Sequence, residues 1–293
     1  MNKLRSIESV FRGSEPHFVG DGFKVSQYFP SGKNLLERFS PFILLDYNKP
    51  HYFEPSKTRR GVGAHPHRGF ETVTIAYDGK VEHHDNKGNH GVIGSGDVQW
   101  MTAGSGVLHK EYHEEEFSKK GGILHMIQLW VNLPSKHKMT NPKYQAITKE
   151  DIATYELDNN GGEIRVIAGE VKGVKGPADT FSKINIYNVD MRNNARVLLN
   201  EPSNFNTGML IISGEIKIND ESVYKENDFI LFDNVEGDII LESVSENSLA
   251  IVLSGEPLNE PVIAHGPFVM NTEQEIMEAY EDYNLGKFGT FNF

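Results

Sequence analysis

Residues 121–133 read GGILHMIQLWVNL, a long extended run with apolar residues on both faces. A segment buried on two sides needs partners above and below it, which points to a sandwich or barrel and not to a solvated hairpin. The β-branched run ETVTIAY at Glu71–Tyr77 supports the same architecture. In GVIGSGDVQWMTAGSGVLH (Gly91–His109), glycines at 91, 94, 96, 104 and 106 mark a strand, turn, strand, turn succession. Twenty-eight glycines and 17 phenylalanines among 293 residues fit a chain of tight turns and bulky core pieces.

Residues 136–180 are polar and turn-prone, and read as a connection between two β-rich halves. Strand patterns resume at Lys183–Met191, Gly208–Asn219, Asp228–Asn234, Asp238–Val244 and Ser248–Gly255. The halves echo each other: YDGKVEHHD followed by GDVQWM in the first, ISGEIKIND followed by NDFILF in the second. The expected organisation is all-β, with an N-terminal domain at 1–145 and a linker, second domain and short helix at 146–293. The helix is signalled by NTEQEIMEAYEDYNLG, where Thr272 and Glu275 form a capping box, Ile276, Ala279, Tyr280 and Tyr283 share one face, and Gly286 is the stop.

The chain has no cysteine, which excludes disulfides, thiolate metal sites, iron–sulfur clusters and a cysteine nucleophile. A metal would have to be held by histidine and carboxylate. No segment approaches the roughly 20 apolar residues of a spanning helix, and the start carries no signal-peptide pattern, so a cytoplasmic location is expected. A net charge of −12 opposes binding to nucleic acid or anionic lipid. The basic run Lys57–Arg60 reads as a solvated loop tip.

Two short fragments carry the chemistry. His65 and His67, in GAHPHRGFETVT, are two apart and would face one way on a strand. Pro66 between them has no N–H to donate, so the segment belongs at an edge, a strand start or a bulge. Twelve histidines make an H-x-H pair a chance event in roughly one of two such chains. The second fragment, GSGVLHKEYH, places His109 and Glu111 with the same spacing beside another glycine turn. Together they offer three imidazoles and one carboxylate with open positions left on a metal such as iron(II), manganese, nickel, cobalt, copper or zinc. Of the other histidines, His83 and His84 alternate, so at most one faces a cavity, and His83 is expected in solvent. His125 reads as a hydrogen-bonded core residue, and His113 and the Glu114–Glu116 run as surface.

The order His65, His67, Glu71, a glycine-rich turn, then His109 resembles the cupin barrels. The segments HPHRGFETVT, GDVQWMTAGSGVLHKE, QLWVNLP and HGPFVMNT, in order between about Arg38 and Asn284, resemble the pirin family more specifically. The resemblance implies a bicupin, two double-stranded β-helix barrels in tandem, with one metal, most often iron, on His65, His67, His109 and Glu111. The general cupin pattern would use Glu71 as the carboxylate ligand. The pirin pattern uses Glu111, leaving Glu71 a supporting or structural role. Gly104-Ser105-Gly106 also stands where the second cupin motif has proline, any residue, then glycine. The C-terminal half has only His265 and no comparable histidine set. The resemblance implies ring-opening dioxygenation of flavonols such as quercetin with O₂, with Glu111 as the catalytic base. The competing implication is an iron-containing regulatory protein acting through protein partners, as a transcriptional co-regulator. Another small-molecule isomerase or lyase chemistry also fits the fold.

Overall fold

A computed structural model describes residues 3–30 and 35–291. The chain forms two all-β units, each built from a seven-stranded and a four-stranded antiparallel sheet. One unit comprises residues 14–30, 35–37, 41–149 and 258–291. The other comprises 3–13, 38–40 and 150–257.

In the first unit the large sheet runs Lys143–Ile147, Val98–Thr102, Phe70–Asp78, Gly122–Asn132, Phe42–Phe53, Phe23–Phe29, His17–Val19. The small sheet runs Gly61–His67, Val107–His113, Val81–Asp85, His90–Ile93. Gly122–Asn132 lies centrally in the sheet between Phe42–Phe53 and Phe70–Asp78, and both of its faces carry buried apolar residues, Leu124 and Met126 on one and Ile127, Leu129 and Val131 on the other. The expected succession of strands and turns from Gly91 to His109 is present, with positive φ at Gly96, Gly104 and Gly106.

The second unit repeats the plan. Its large sheet runs Ile7–Phe11, Phe229–Phe232, Asn206–Ser213, Asn247–Gly255, Ile184–Arg192, Gly162–Ala168, Ala153–Glu156, and its small sheet Arg196–Leu199, Ile239–Ser243, Glu215–Ile218, Ser222–Lys225. The two segments that echo each other in sequence hold equivalent places: Val81–Asp85 and Glu215–Ile218 are both third in their small sheets. Val98–Thr102 and Phe229–Phe232 are both second in their large sheets. This is a bicupin.

Two expectations about organisation are corrected. Residues 136–180 are not merely a connection, because Lys143–Ile147 closes one large sheet and Ala153–Glu156 with Gly162–Ala168 closes the other. Lys143–Ile147 and Ala153–Glu156 are half-exposed edge strands, so their sequences are too polar to show a clear apolar rhythm. The ends also cross over relative to a split into 1–145 and 146–293. Ile7–Phe11 pairs with Phe229–Phe232, and the C-terminal helix belongs with the N-terminal barrel. That helix, Glu273–Asn284, has the expected capping box, Thr272 accepting from the Glu275 amide and Glu275 from the Thr272 amide, a motif of about 1 kcal/mol. Its face, Ile276 and Ala279, packs into a cluster with Phe268, Met270 and Phe288. Of the remaining expected face residues, Tyr280 packs partly against that cluster while Tyr283 stays exposed. Gly286, at φ +72°, follows the last turn.

Among the described residues no helix is long and apolar enough to cross a membrane.

Candidate metal centre and its cavity

The small sheet of the first unit assembles the site. Its second strand, Val107–His113, lies between Gly61–His67 and Val81–Asp85. His109 stands opposite His65 on one neighbour and Asp85 on the other, and Glu111 opposite Val62 and His83. The register slips by one residue between these pairs, so a bulge falls at Gly63–Ala64 just before His65. Gly61–His67 is the edge strand of this sheet, which accommodates Pro66.

The three predicted imidazoles converge. Ring centroids are 4.2 Å apart for His65 and His109, 4.8 Å for His65 and His67, and 4.8 Å for His67 and His109. One ligand atom from each lies within 4.8 Å of the others, and His83, His109 and Glu111 form a second such group that shares His109. Burial, then the neighbouring imidazole of His65, holds the pKa of His67 and His109 well below the ordinary value, so their lone pairs are free at neutral pH.

Hydrogen bonds assign the tautomers. His65 Nδ1 donates to Gly63 O at 2.8 Å and His67 Nδ1 to Pro267 O at 3.2 Å, which leaves each Nε2 as the electron-pair donor. On the other side Tyr144 donates to Gln99 Oε1 at 3.3 Å, so the Gln99 amide nitrogen faces Glu111 Oε1 at 3.2 Å and His83 Nδ1 at 3.3 Å. His83 Nδ1 therefore accepts, and His109 Nδ1, 3.4 Å away, is its second donor. That places the proton of His109 on Nδ1. Its Nε2 is buried with no hydrogen-bond partner. An orphaned buried imidazole nitrogen, two further Nε2 lone pairs and an adjacent carboxylate fit a divalent metal.

Several sequence expectations are revised by this geometry. His83 is fully buried and carries the Gln99–His109 link, because Val81, His83 and Asp85 form the inward face of their strand. That two-residue alternation was the available signal. His113 is also buried, its Nε2 donating to Gly22 O at 2.7 Å among the rings of Phe23, Phe53 and Phe117. Glu114 is a half-buried helix cap accepting from the amides of Glu116 and Phe117, while Glu115 and Glu116 are exposed as expected. His125 is half-buried and bonded to the Tyr47 hydroxyl at 2.9 Å. Glu71 is buried, accepts from Thr102 Oγ1 at 2.7 Å, and belongs to neither histidine group. Lys57, Thr58 and Arg59 are exposed, with Arg59 paired to Glu82.

A cavity of about 320 Å³ opens onto the site, with His65, His67 and Glu111 in its wall. Phe23, Val25, Val62, Met126 and Trp130 make most of the rest apolar, and the two remaining polar side chains are Asp46 and Gln128. This is the size and composition of a small-molecule pocket. Among the described residues the repeated barrel offers no comparable histidine cluster. Its residues include no histidine, and the corresponding strands bury Val197, Leu199, Ile239 and Leu241 in one apolar core.

Comparison with known proteins agrees with this anatomy. The pirin family model matches residues 22–131, and that of the pirin C-terminal cupin domain matches 186–289. A Pseudomonas aeruginosa protein named "Putative quercetin 2,3-dioxygenase" is 46% identical, over 97% of this chain and 99% of its own. Pirin-like protein 2 of Arabidopsis thaliana is 38% identical over 98% of this chain and 91% of its own. The crystal structure of a quercetin 2,3-dioxygenase from Acinetobacter baumannii superposes with a TM-score of 0.94 at 45% identity, covering 99% of this chain and 100% of that one. With two domain matches in order and relatives this similar along almost its whole length, the chain belongs to the pirin family.

Proposed function

We propose that the protein is a metal-dependent dioxygenase that opens the ring of quercetin or a related flavonol, with one divalent metal, iron(II) in the first instance, held by His65, His67, His109 and Glu111. The observation that carries this reading is the meeting of the histidine cluster with a largely apolar cavity: His65, His67 and Glu111 line the same space as Phe23 and Trp130. The names of the P. aeruginosa and A. baumannii relatives support the reaction type.

A bound metal would supply Lewis acidity toward a chelating enol and a route for electrons toward O₂. The protein's own groups do the rest. The apolar walls take a flat ring system out of water and orient its hydroxyl edge toward the histidines. Glu111 takes the proton of that hydroxyl, as a carboxylate within reach of the reacting edge. Gln99 Nε2, donating at 3.2 Å, keeps Glu111 Oε1 in place. Outer partners of this kind are typically worth about 10- to 100-fold in affinity or activity.

The test is oxygen uptake by protein reconstituted anaerobically with iron(II), then given air and quercetin, beside His65→Ala treated identically. The expected result is metal-dependent uptake with loss of the flavonol absorbance, absent from the variant. Iron bound in full with no uptake would refute the flavonol reading.

A further inference from the structure

The large sheet behind the cavity carries a polar row in an otherwise apolar wall. Gln27, Asp46, Gln128, Thr74 and Gln99 stand directly opposite one another across five adjacent strands. Residues paired in this way share one face of the sheet. At one end Gln99 donates to Glu111 Oε1 at 3.2 Å, and beside it Thr74 Oγ1 donates to Gln128 Oε1 at 2.7 Å. Toward the other end Asp46 and Gln128 face the cavity, and their same-face neighbours Leu44, Met126 and Trp130 line it too.

Asp46 stands out in that wall. Its carboxyl bonds the Gln27 side chain, while Oδ1 is buried with no hydrogen-bond partner. A carboxylate oxygen buried in an apolar wall without a partner loses solvation that only a donor can restore. Burial pushes the Asp46 carboxyl up to about 6 despite the Gln27 hydrogen bond and the nearby His17, which lower it, and a further hydrogen bond donated to it would offset that cost. Two strand spacings separate Asp46 from Thr74, about 10 Å. A ligand touching both Glu111 and Asp46 must therefore be two or three rings long.

We propose that Asp46, with Gln128 beside it, is the recognition subsite for the end of the substrate remote from the histidines, accepting a hydrogen bond from a phenolic hydroxyl of a flat, uncharged ring system whose opposite edge lies at Glu111. This rests on the flavonol reading above and gives it a specificity residue. The walls of Phe23 and Trp130 favour flat rings, and the Asp46 carboxyl selects among them those with a hydroxyl at the far end.

The test is anaerobic titration of the metal-loaded protein, Asp46→Ala and Asp46→Asn with quercetin and with 3-hydroxyflavone, which keeps only the hydroxyl that meets the metal. Binding is read from the shift of the flavonol absorption band. The wild type should bind quercetin about tenfold or more tighter, the effect of a hydrogen bond to a charged group. Asp46→Ala should lose that preference while keeping its affinity for 3-hydroxyflavone, and Asp46→Asn, whose carbonyl still accepts, should retain part of it. An Asp46→Ala protein that keeps the full preference, or that weakens equally for both ligands, overturns the proposal. So does a wild type that binds both flavonols alike. A wild type that binds neither overturns the flavonol reading itself, and this proposal with it.

Discussion

Replacing His109 by alanine is expected to leave the protein folded but unable to retain its metal. His109 is the residue common to both ligand groups and is fully buried, with Nδ1 committed to His83 and Nε2 bonded to nothing. Its loss should lower metal affinity by about 100-fold or more, at or beyond the upper end of what an outer partner costs. Oxygen uptake should fall with it. Glu71→Gln is the matched comparison, because Glu71 is the carboxylate that the wider cupin pattern would use. Here it is tied to Thr102 and stands outside both groups, so the glutamine variant should keep its metal. Elemental analysis after reconstitution and desalting, with thermal melts to confirm folding, checks both. Metal lost from Glu71→Gln and kept in His109→Ala would assign the carboxylate to the wrong strand.

The largest effect on stability is expected at Lys138. The residue is 1% exposed, and its Nζ donates to Gly69 O at 2.9 Å, Asn132 Oδ1 at 2.7 Å and Val269 O at 2.8 Å. Lys138→Met keeps much of the volume but removes three buried hydrogen bonds, leaving Gly69 O only its 3.4 Å contact with the Leu133 amide, a loss of about 3–5 kcal/mol. In a unit of this size that corresponds to a fall in Tm on the order of 10 °C. Lys57→Met, at an exposed lysine, should change stability by less than about 0.5 kcal/mol. The same contacts reach the site. Gly69 is two residues beyond His67, and Val269 two beyond Pro267, whose carbonyl accepts from His67. The approach there is close: Gly69 has φ +89°, and a Cβ would fall 1.9 Å from Val269 O. Thermal denaturation of the three proteins measures the effect. A Lys138→Met protein as stable as the wild type would show that the lysine's desolvation cancels its bonds.

The strands and the convergence of His65, His67 and His109 were legible in the sequence because both rest on spacing. Side chains two apart on a strand share a face, and glycine turns bring such strands back alongside each other. What escaped depended on contacts distant along the chain. His83 and His113 look polar locally, but their burial is set by strands and loops from elsewhere, His113 finding its acceptor at Gly22, 91 residues away. The exchange of the two chain ends between barrels was likewise invisible. Ile7–Phe11 reads as a plausible strand without naming its partner, and the capped helix has an apolar face that either barrel could have covered. Asp46 was hidden for the same reason. In FILLDYNK it is one acidic residue in an apolar strand, and only the register with Gln27, Gln128 and Thr74 makes it part of a row.

The most direct measurement is diffraction from iron(II)-loaded crystals on either side of the iron absorption edge. One anomalous peak is expected in the N-terminal barrel, about 2.0–2.3 Å from Nε2 of His65, His67 and His109 and from a carboxylate oxygen of Glu111, the usual range for such ligands. A peak bounded by His83, His109 and Glu111 without His65 and His67, or one found instead at the half-buried group of Glu82, His84 and His90, would contradict the account.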